Sequence, residues 1–176
     1  LTEFTTSLPA AWMPIGPLNF IKKYLNMDLV LAISEDKVPS KGEPDPYIHI
    51  FLDAGNDNVL AFFEIPNSPE MGWDENTPDW VQHIAFKIAD EETLMKAKER
   101  LEAGDIEVVG PTNHHIFQSI YFRDPDGHRL ELTYDAATPE ELKKLNEIAP
   151  EMMTEWAKIK KTLKHAAWLH DDQFQE

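Results

Sequence analysis

Residues 120–131 read Ile-Tyr-Phe-Arg-Asp-Pro-Asp-Gly-His-Arg-Leu-Glu, and the fold turns on this stretch. Asp124-Pro125-Asp126-Gly127 is turn chemistry, and the flanks Ser119–Arg123 and Arg129–Tyr134 alternate as strands do, so a β-hairpin is expected. On its second strand Leu130 and Leu132 point one way and Glu131 and Thr133 the other. A carboxylate in the middle of an otherwise apolar strand must be paired, solvated or bound to a cation.

Upstream, Val81–Ile88 also alternates, with Ile84, Phe86 and Ile88 on one face and His83, Ala85 and Lys87 on the other. Asp90 then suits a helix N-cap, Glu91 and Glu92 suit the positive helix end, and Gly104 stands where a C′ glycine belongs. Leu94, Ala97, Leu101 and Ala103 supply the apolar stripe between those caps. With Ile106–Gly110 as a further strand, the second half reads strand, helix, strand, strand, strand.

The first half yields helix, strand, strand, strand. Phe20, Ile21, Tyr24 and Leu25 fall at helical spacing within Leu18–Met27, and Asp28–Ser34 reads as a strand. Tyr47–Asp53 and Val59–Ile65 flank Ala54-Gly55-Asn56-Asp57-Asn58, a second hairpin signal. Val59–Pro66 (VLAFFEIP) sets beside Arg129–Ala136 (RLELTYDA), so an internal duplication of a βαβββ unit is expected, with the first strand of copy one unaccounted for. Proline-rich Pro66–Trp80 marks a linker.

After Asp135 the character changes. Thr138-Pro139-Glu140-Glu141 is a capping box with proline at the first helical position, and Pro150 is expected to break the run and start a second helix. Met153, Trp156, Ile159, Leu163 and Ala167 form an apolar stripe that reads as a packing or dimer face. The expected fold class is therefore α+β: paired βαβββ modules forming a curved-sheet cup, with a C-terminal helical extension. The expected divisions are 1–66, a linker over 67–80, 81–135 and 136–176.

Composition narrows the function classes. The chain has 176 residues, 42% hydrophobic and 27% charged, as an ordinary globular domain does. Thirty-two Asp and Glu against sixteen Lys and Arg give a formal net charge of -16, which repels phosphate backbones and anionic lipid, so neither nucleic acid nor a membrane is expected as a partner. Without cysteine there is no disulfide, thiolate nucleophile or cysteine zinc site. No apolar run approaches the ~20 residues that span a bilayer, and Leu1-Thr2-Glu3-Phe4 does not open like a secretory signal. These readings together predict a cytoplasmic location.

Of the seven histidines, His83 shares a strand face with small or polar residues, as Glu131 does. Imidazole and carboxylate on a strand face are the beginning of a site for Fe(II), Mn(II), Ni(II) or Zn(II), although two ligands are not a site.

The segment Ile120–Glu131, together with the His83 strand, resembles the closing module of the vicinal oxygen chelate superfamily. That group includes glyoxalases, extradiol ring-cleavage dioxygenases, fosfomycin-resistance enzymes and bleomycin-binding proteins. The resemblance covers about residues 18 to 135 and implies paired βαβββ modules around a divalent metal. It implies His83 and Glu131 as metal ligands. Thr112-Asn113-His114, then Ile120-Tyr121 and the Asp-Pro-Asp-Gly turn, then Glu131, is most similar to the extradiol dioxygenase pattern. There, residues matching His114 and Tyr121 line the pocket, where a histidine and a phenol could steady the charge of a catecholate and of the oxygen bound beside it. The plainer reading makes His114 and His115 solvated loop residues and Tyr121 a strand aromatic. The resemblance implies Fe(II) above the other metals, a phenolic or aromatic small-molecule substrate and a homodimer.

Three positions depart from or qualify that pattern. Ala61 stands where glyoxalases usually place a further glutamate ligand, which points toward a set of two histidines and one carboxylate. Nothing between Leu1 and Pro46 is histidine, so the family's first histidine ligand has no match there: either the sequence lacks that segment, or another histidine, His49 or His165, substitutes, or the metal site is incomplete. Asn58 stands near where many ring-cleaving members carry a basic histidine. Thiol transferases acting on fosfomycin use a similar ligand set, and bleomycin-binding relatives use the same cup without metal. The aromatics Phe51, Phe62, Phe63, Trp73, Trp80 and Phe117 suit either a pocket lining or core packing, and anionic substrates would need Arg123, Arg129 or Lys87 inside the cup.

Overall fold

A computed structural model describes residues 15–37, 42, 44–68 and 75–160. In chain order the elements are α1 (Ile15–Leu25), β1 (Leu29–Lys37), β2 (Pro44–Gly55), β3 (Asn58–Glu64), β4 (Ile84–Lys87), α2 (Glu91–Glu102), β5 (Val109–Asn113), β6 (Phe117–Arg123), β7 (Arg129–Asp135) and α3 (Pro139–Ile159). The class is the expected α+β with a C-terminal helix. Two compact units emerge among the described residues. One holds those up to Gln82 with the hairpin tip Arg123–His128; the other holds His83–Phe122 and the residues from Arg129 onward.

In the first unit β1, β2 and β3 form an antiparallel sheet in that order. Asn56 and Asp57, both at positive φ (51° and 60°), make the two-residue turn between β2 and β3. Positive φ at both central residues matches the twist of the paired strands, and Asn and Asp tolerate it better than branched residues would. Phe20, Ile21 and Tyr24 of α1 and Ile50 and Leu52 of β2 are buried, so the helical spacing and the strand alternation each deliver one apolar face.

The second unit is a four-stranded sheet in the order β4-β7-β6-β5. β4 runs parallel to β7, with Ala85 opposite Glu131 and Phe86 opposite Leu132. This is the arrangement of one complete βαβββ module. Helix α2 packs on β7. Leu94, Ala97 and Leu101 of α2 are buried, as are Ile120, Phe122, Leu130 and Leu132 on the strands. Each larger side chain of that set contributes about 1.5–3 kcal/mol on burial. The alternate residues, Ser119, Tyr121, Glu131 and Thr133, belong to the opposite face.

Several local expectations need correction. Left-handed backbone at the end of α2 falls on Asp105 (φ 59°) and not on Gly104. Ile106 N bonds Leu101 O at 3.1 Å, so the six-to-one closure of the helix end lies one residue later than the glycine suggested. The strand expected at Ile106–Gly110 begins only at Val109 and runs to Asn113. Pro150 does not divide the C-terminal segment: α3 is continuous across it, and Thr154 Oγ1 donates to Pro150 O at 2.8 Å. One proline removes one donor, and the bonds on either side carry the helix through it. The capping box is present as expected, with Glu141 N donating to Thr138 Oγ1 and Thr138 N donating to Glu141 Oε2. His165, Trp73, Leu163 and Ala167 lie outside the described residues. No helix among the described residues is long and apolar enough to cross a membrane.

Candidate metal and substrate site

The polar face of the second sheet carries a connected cluster. Glu131, in the middle of β7, is only 3% exposed, an expensive place for a carboxylate unless its oxygens are satisfied. Both are. Oε2 lies 2.8 Å from His83 Nε2, and Oε1 accepts from Ser119 Oγ of β6. His83 stands one residue before β4, whose parallel pairing with β7 brings the imidazole beside the carboxylate. Ser119 is wholly buried, and its hydroxyl lies 3.0 Å from Thr133 Oγ1.

Tyr121 follows Ser119 by two residues and so shares its face. Its ring meets the His83 ring edge-on at 5.8 Å, and its hydroxyl shares a hydrogen bond of 2.8 Å with His114 Nε2. The Arg129 guanidinium lies 4.5 Å above the Tyr121 ring, a cation–π arrangement. Burial, and then the negative charge of Glu131, push the Tyr121 phenol above its ordinary pKa, so it stays protonated at neutral pH. His114 is steadied in turn by its tilted stack on Phe117, at 4.8 Å.

The four residues singled out from the sequence, His83, Glu131, His114 and Tyr121, thus stand in one contact chain. The other candidates are placed differently. His49 lies on β2 of the first unit, stacked on Phe63 at 3.7 Å and tilted against Phe51. Lys87 pairs with Asp135, an exposed ion pair. Arg129 is the basic residue that joins the cluster. Among the described residues no group of three or more His, Asp or Glu side chains is arranged to hold a metal ion. His83 and Glu131 do fit as two ligands of a borderline divalent ion, one imidazole and one carboxylate at a separation that an ion could bridge.

Sequence reasoning missed Ser119 and Gly110. Gly110 of β5 has φ 108°, and a Cβ there would lie 2.6 Å from the Ser119 carbonyl oxygen. Only glycine lets β5 approach that closely. The two-residue step from Tyr121 was the one signal that could have found Ser119. Gly110 is visible only in three dimensions.

The Asp-Pro-Asp-Gly turn is structural. The buried Asp124 carboxylate accepts from Asp126 N at 3.0 Å and His128 N at 2.8 Å and meets His128 Nδ1 at 2.9 Å, while Gly127 takes φ 88°.

The fold agrees with a match of residues 18–132 to the model of the Glyoxalase/Bleomycin resistance protein/Dioxygenase superfamily. The chain belongs to this superfamily. A curated member, biphenyl-2,3-diol 1,2-dioxygenase 3 of Rhodococcus globerulus, is 40% identical over 76 residues, which is 42% of this chain and 40% of that protein. The matched stretch thus spans about two fifths of that relative's length. Among solved structures, the trypanothione-dependent glyoxalase I of Leishmania major is similar with a TM-score of 0.53 and 19% identity, over 82% of this chain and 90% of that one. The fosfomycin resistance protein FosX of Listeria monocytogenes, complexed with Mn(II) and sulfate, has a TM-score of 0.48 and 20% identity, over 75% of this chain and 89% of that one.

Proposed function

We propose that this protein is a metal-dependent oxidoreductase of the extradiol ring-cleavage type, which takes a catechol-like vicinal diol and inserts both atoms of dioxygen beside the hydroxyls. The observation that carries the reading is the contact chain His114–Tyr121–His83–Glu131 on one sheet face. The likeness to a biphenyl-diol dioxygenase supports it, and Ala61, at the register position of Glu131 in the first hairpin, speaks against glyoxalase-type isomerisation.

In this reading His83 and Glu131, with one further unlocated donor, would hold Fe(II); Mn(II), Ni(II) and Zn(II) suit the same donors. When bound, the metal supplies a Lewis acid for the diol oxygens and a redox centre for dioxygen. The chain's own residues do the rest. The Tyr121 phenol, kept protonated by burial and by Glu131, donates to a developing oxyanion, and His114 Nε2 takes or returns the proton through its bond to that phenol. Arg129 fixes the plane of the Tyr121 ring and adds positive charge near a deprotonated diol. A homodimer belongs to the same proposal, supported by Met153 and Trp156, which α3 leaves 67% and 44% exposed.

The test is elemental analysis of anaerobically purified protein, followed by oxygen uptake with a panel of catechols. Near-stoichiometric iron, lost in His83→Ala and in Glu131→Ala, with catechol-dependent oxygen uptake, is the expected result. Iron-loaded protein that neither binds a catechol nor consumes oxygen sinks the proposal. Activity with a thiol and an epoxide, without oxygen uptake, transfers it to the thiol transferases.

A second reading draws on the direct His83–Glu131 contact of 2.8 Å, which satisfies both groups without a metal: a cup that sequesters a small molecule and does no chemistry on it. Tight aromatic binding by metal-stripped protein would favour that reading.

A further inference from the structure

We infer that Ser119 is a positioning residue that restricts Glu131 to a single metal-facing oxygen. The inference rests on the proposed ligand pair. The Ser119 hydroxyl occupies Oε1 of Glu131, and Oε2 is the oxygen that lies 2.8 Å from His83 Nε2. With one oxygen held by a buried donor, rotating the carboxylate about its last torsion or closing a four-membered chelate would break or weaken that bond.

The hydroxyl is itself held from two sides. Thr133 Oγ1 lies 3.0 Å from it, and the Ser119 backbone sits beneath Gly110, whose missing Cβ is the space that lets β5 reach the Ser119 carbonyl. The Tyr121 phenol also hydrogen-bonds the Glu131 carboxylate, but Ser119 is the wholly buried donor on Oε1, and Glu131 at 3% exposure has little access to water as a replacement. A one-oxygen glutamate fills one coordination position where a chelating one fills two. Ser119 thereby keeps open a position that a bidentate diol or a second small ligand needs.

The test uses Co(II)-loaded whole protein and two readouts that do not depend on turnover. Metal-loaded minus metal-free infrared difference spectra give the splitting of the carboxylate stretches, wide for one-oxygen ligation and narrow for chelation, with Glu131→Gln identifying the signal. Chelator competition gives the affinity. Wild-type protein is expected to show the wide splitting. Ser119→Ala, folded by circular dichroism, is expected to narrow it, change the visible Co(II) bands and lose about 10- to 100-fold in affinity. Ser119→Thr, which keeps the hydroxyl, is expected to restore the wide splitting.

A narrow splitting in the wild type overturns the inference with no variant needed. So does a folded Ser119→Ala with wild-type spectrum and affinity. If Ser119→Ala does not fold, Ser119→Thr decides: a wide splitting supports the inference and a narrow one overturns it. Wild-type protein that binds no Co(II), or that binds it equally well as Glu131→Gln, fails in a different way and removes the ligand pair on which the inference stands.

Discussion

In the hairpin of β2 and β3 the central residue of the second strand is Ala61, facing Phe51; in the hairpin of β6 and β7 the corresponding residue is Glu131, held by Ser119 and flanked laterally by Ala85 of β4. Both hairpins arise from turn chemistry between alternating strands, yet their surroundings differ. β7 has a strand on each side, whereas β3 pairs only with β2 among the described residues. Ala61 and Phe63 of β3 are exposed, and Glu131 and Leu132 of β7 are buried. The difference teaches where a carboxylate can be kept buried. It needs a strand buried enough to exclude water and a donor already in place to satisfy it, and the second hairpin has both.

The largest expected effect comes from the support beneath that donor. Gly110→Ala would set a Cβ 2.6 Å from the Ser119 carbonyl oxygen and 2.9 Å from Thr112 N, at a φ of 108° that alanine resists. Strain and overpacking together should cost about 2–5 kcal/mol, read as a fall in the urea midpoint, and should loosen metal binding as well. A stable Gly110→Ala would mean that β5 is free to move and that the second hairpin is less fixed than its packing indicates.

The turns offer a contrast of intermediate size. Asp124 is buried and satisfies Asp126 N, His128 N and His128 Nδ1, so Asp124→Ala leaves several groups unpaired and should cost about 2–4 kcal/mol. Asp53, at the other turn, is exposed and accepts, among the described residues, from Gly55 N at 2.8 Å, so Asp53→Ala should cost at most about 1 kcal/mol. Equal losses in paired urea titrations would break the comparison between the hairpins.

What could be read in the sequence follows the range of the interactions. Both hairpins, the Asp90 cap and the Thr138–Glu141 box are local and announce themselves within a few residues. His83 and Glu131 were legible because a polar residue in an alternating strand must be provided for, and the family pattern then joined the two. Ser119 was legible only as a residue on the face of Tyr121, because its role depends on which β7 side chain its hydroxyl reaches. The end of α2 was misjudged because Asp105 took the left-handed position beside an available glycine. At Pro150 the helix bonds on either side outweighed a residue that breaks helices in isolation.

The smallest effect is the most discriminating. Ala61 is exposed, so Ala61→Glu should change stability by no more than about 0.5 kcal/mol. It would place a carboxylate at the register position of Glu131 with different neighbours: Phe51 lies across from it, and Phe63 stacks on His49 two residues along. None of these offers the buried hydroxyl that Ser119 gives Glu131. A carboxylate free to rotate in water gains little from coordination, so the Co(II) affinity of Ala61→Glu should stay within about twofold of the wild type, a difference of ~0.4 kcal/mol. A gain of tenfold or more in chelator competition would show that an unanchored carboxylate on the first hairpin suffices for ligation. The anchoring hydroxyl would then cease to distinguish the second hairpin from the first.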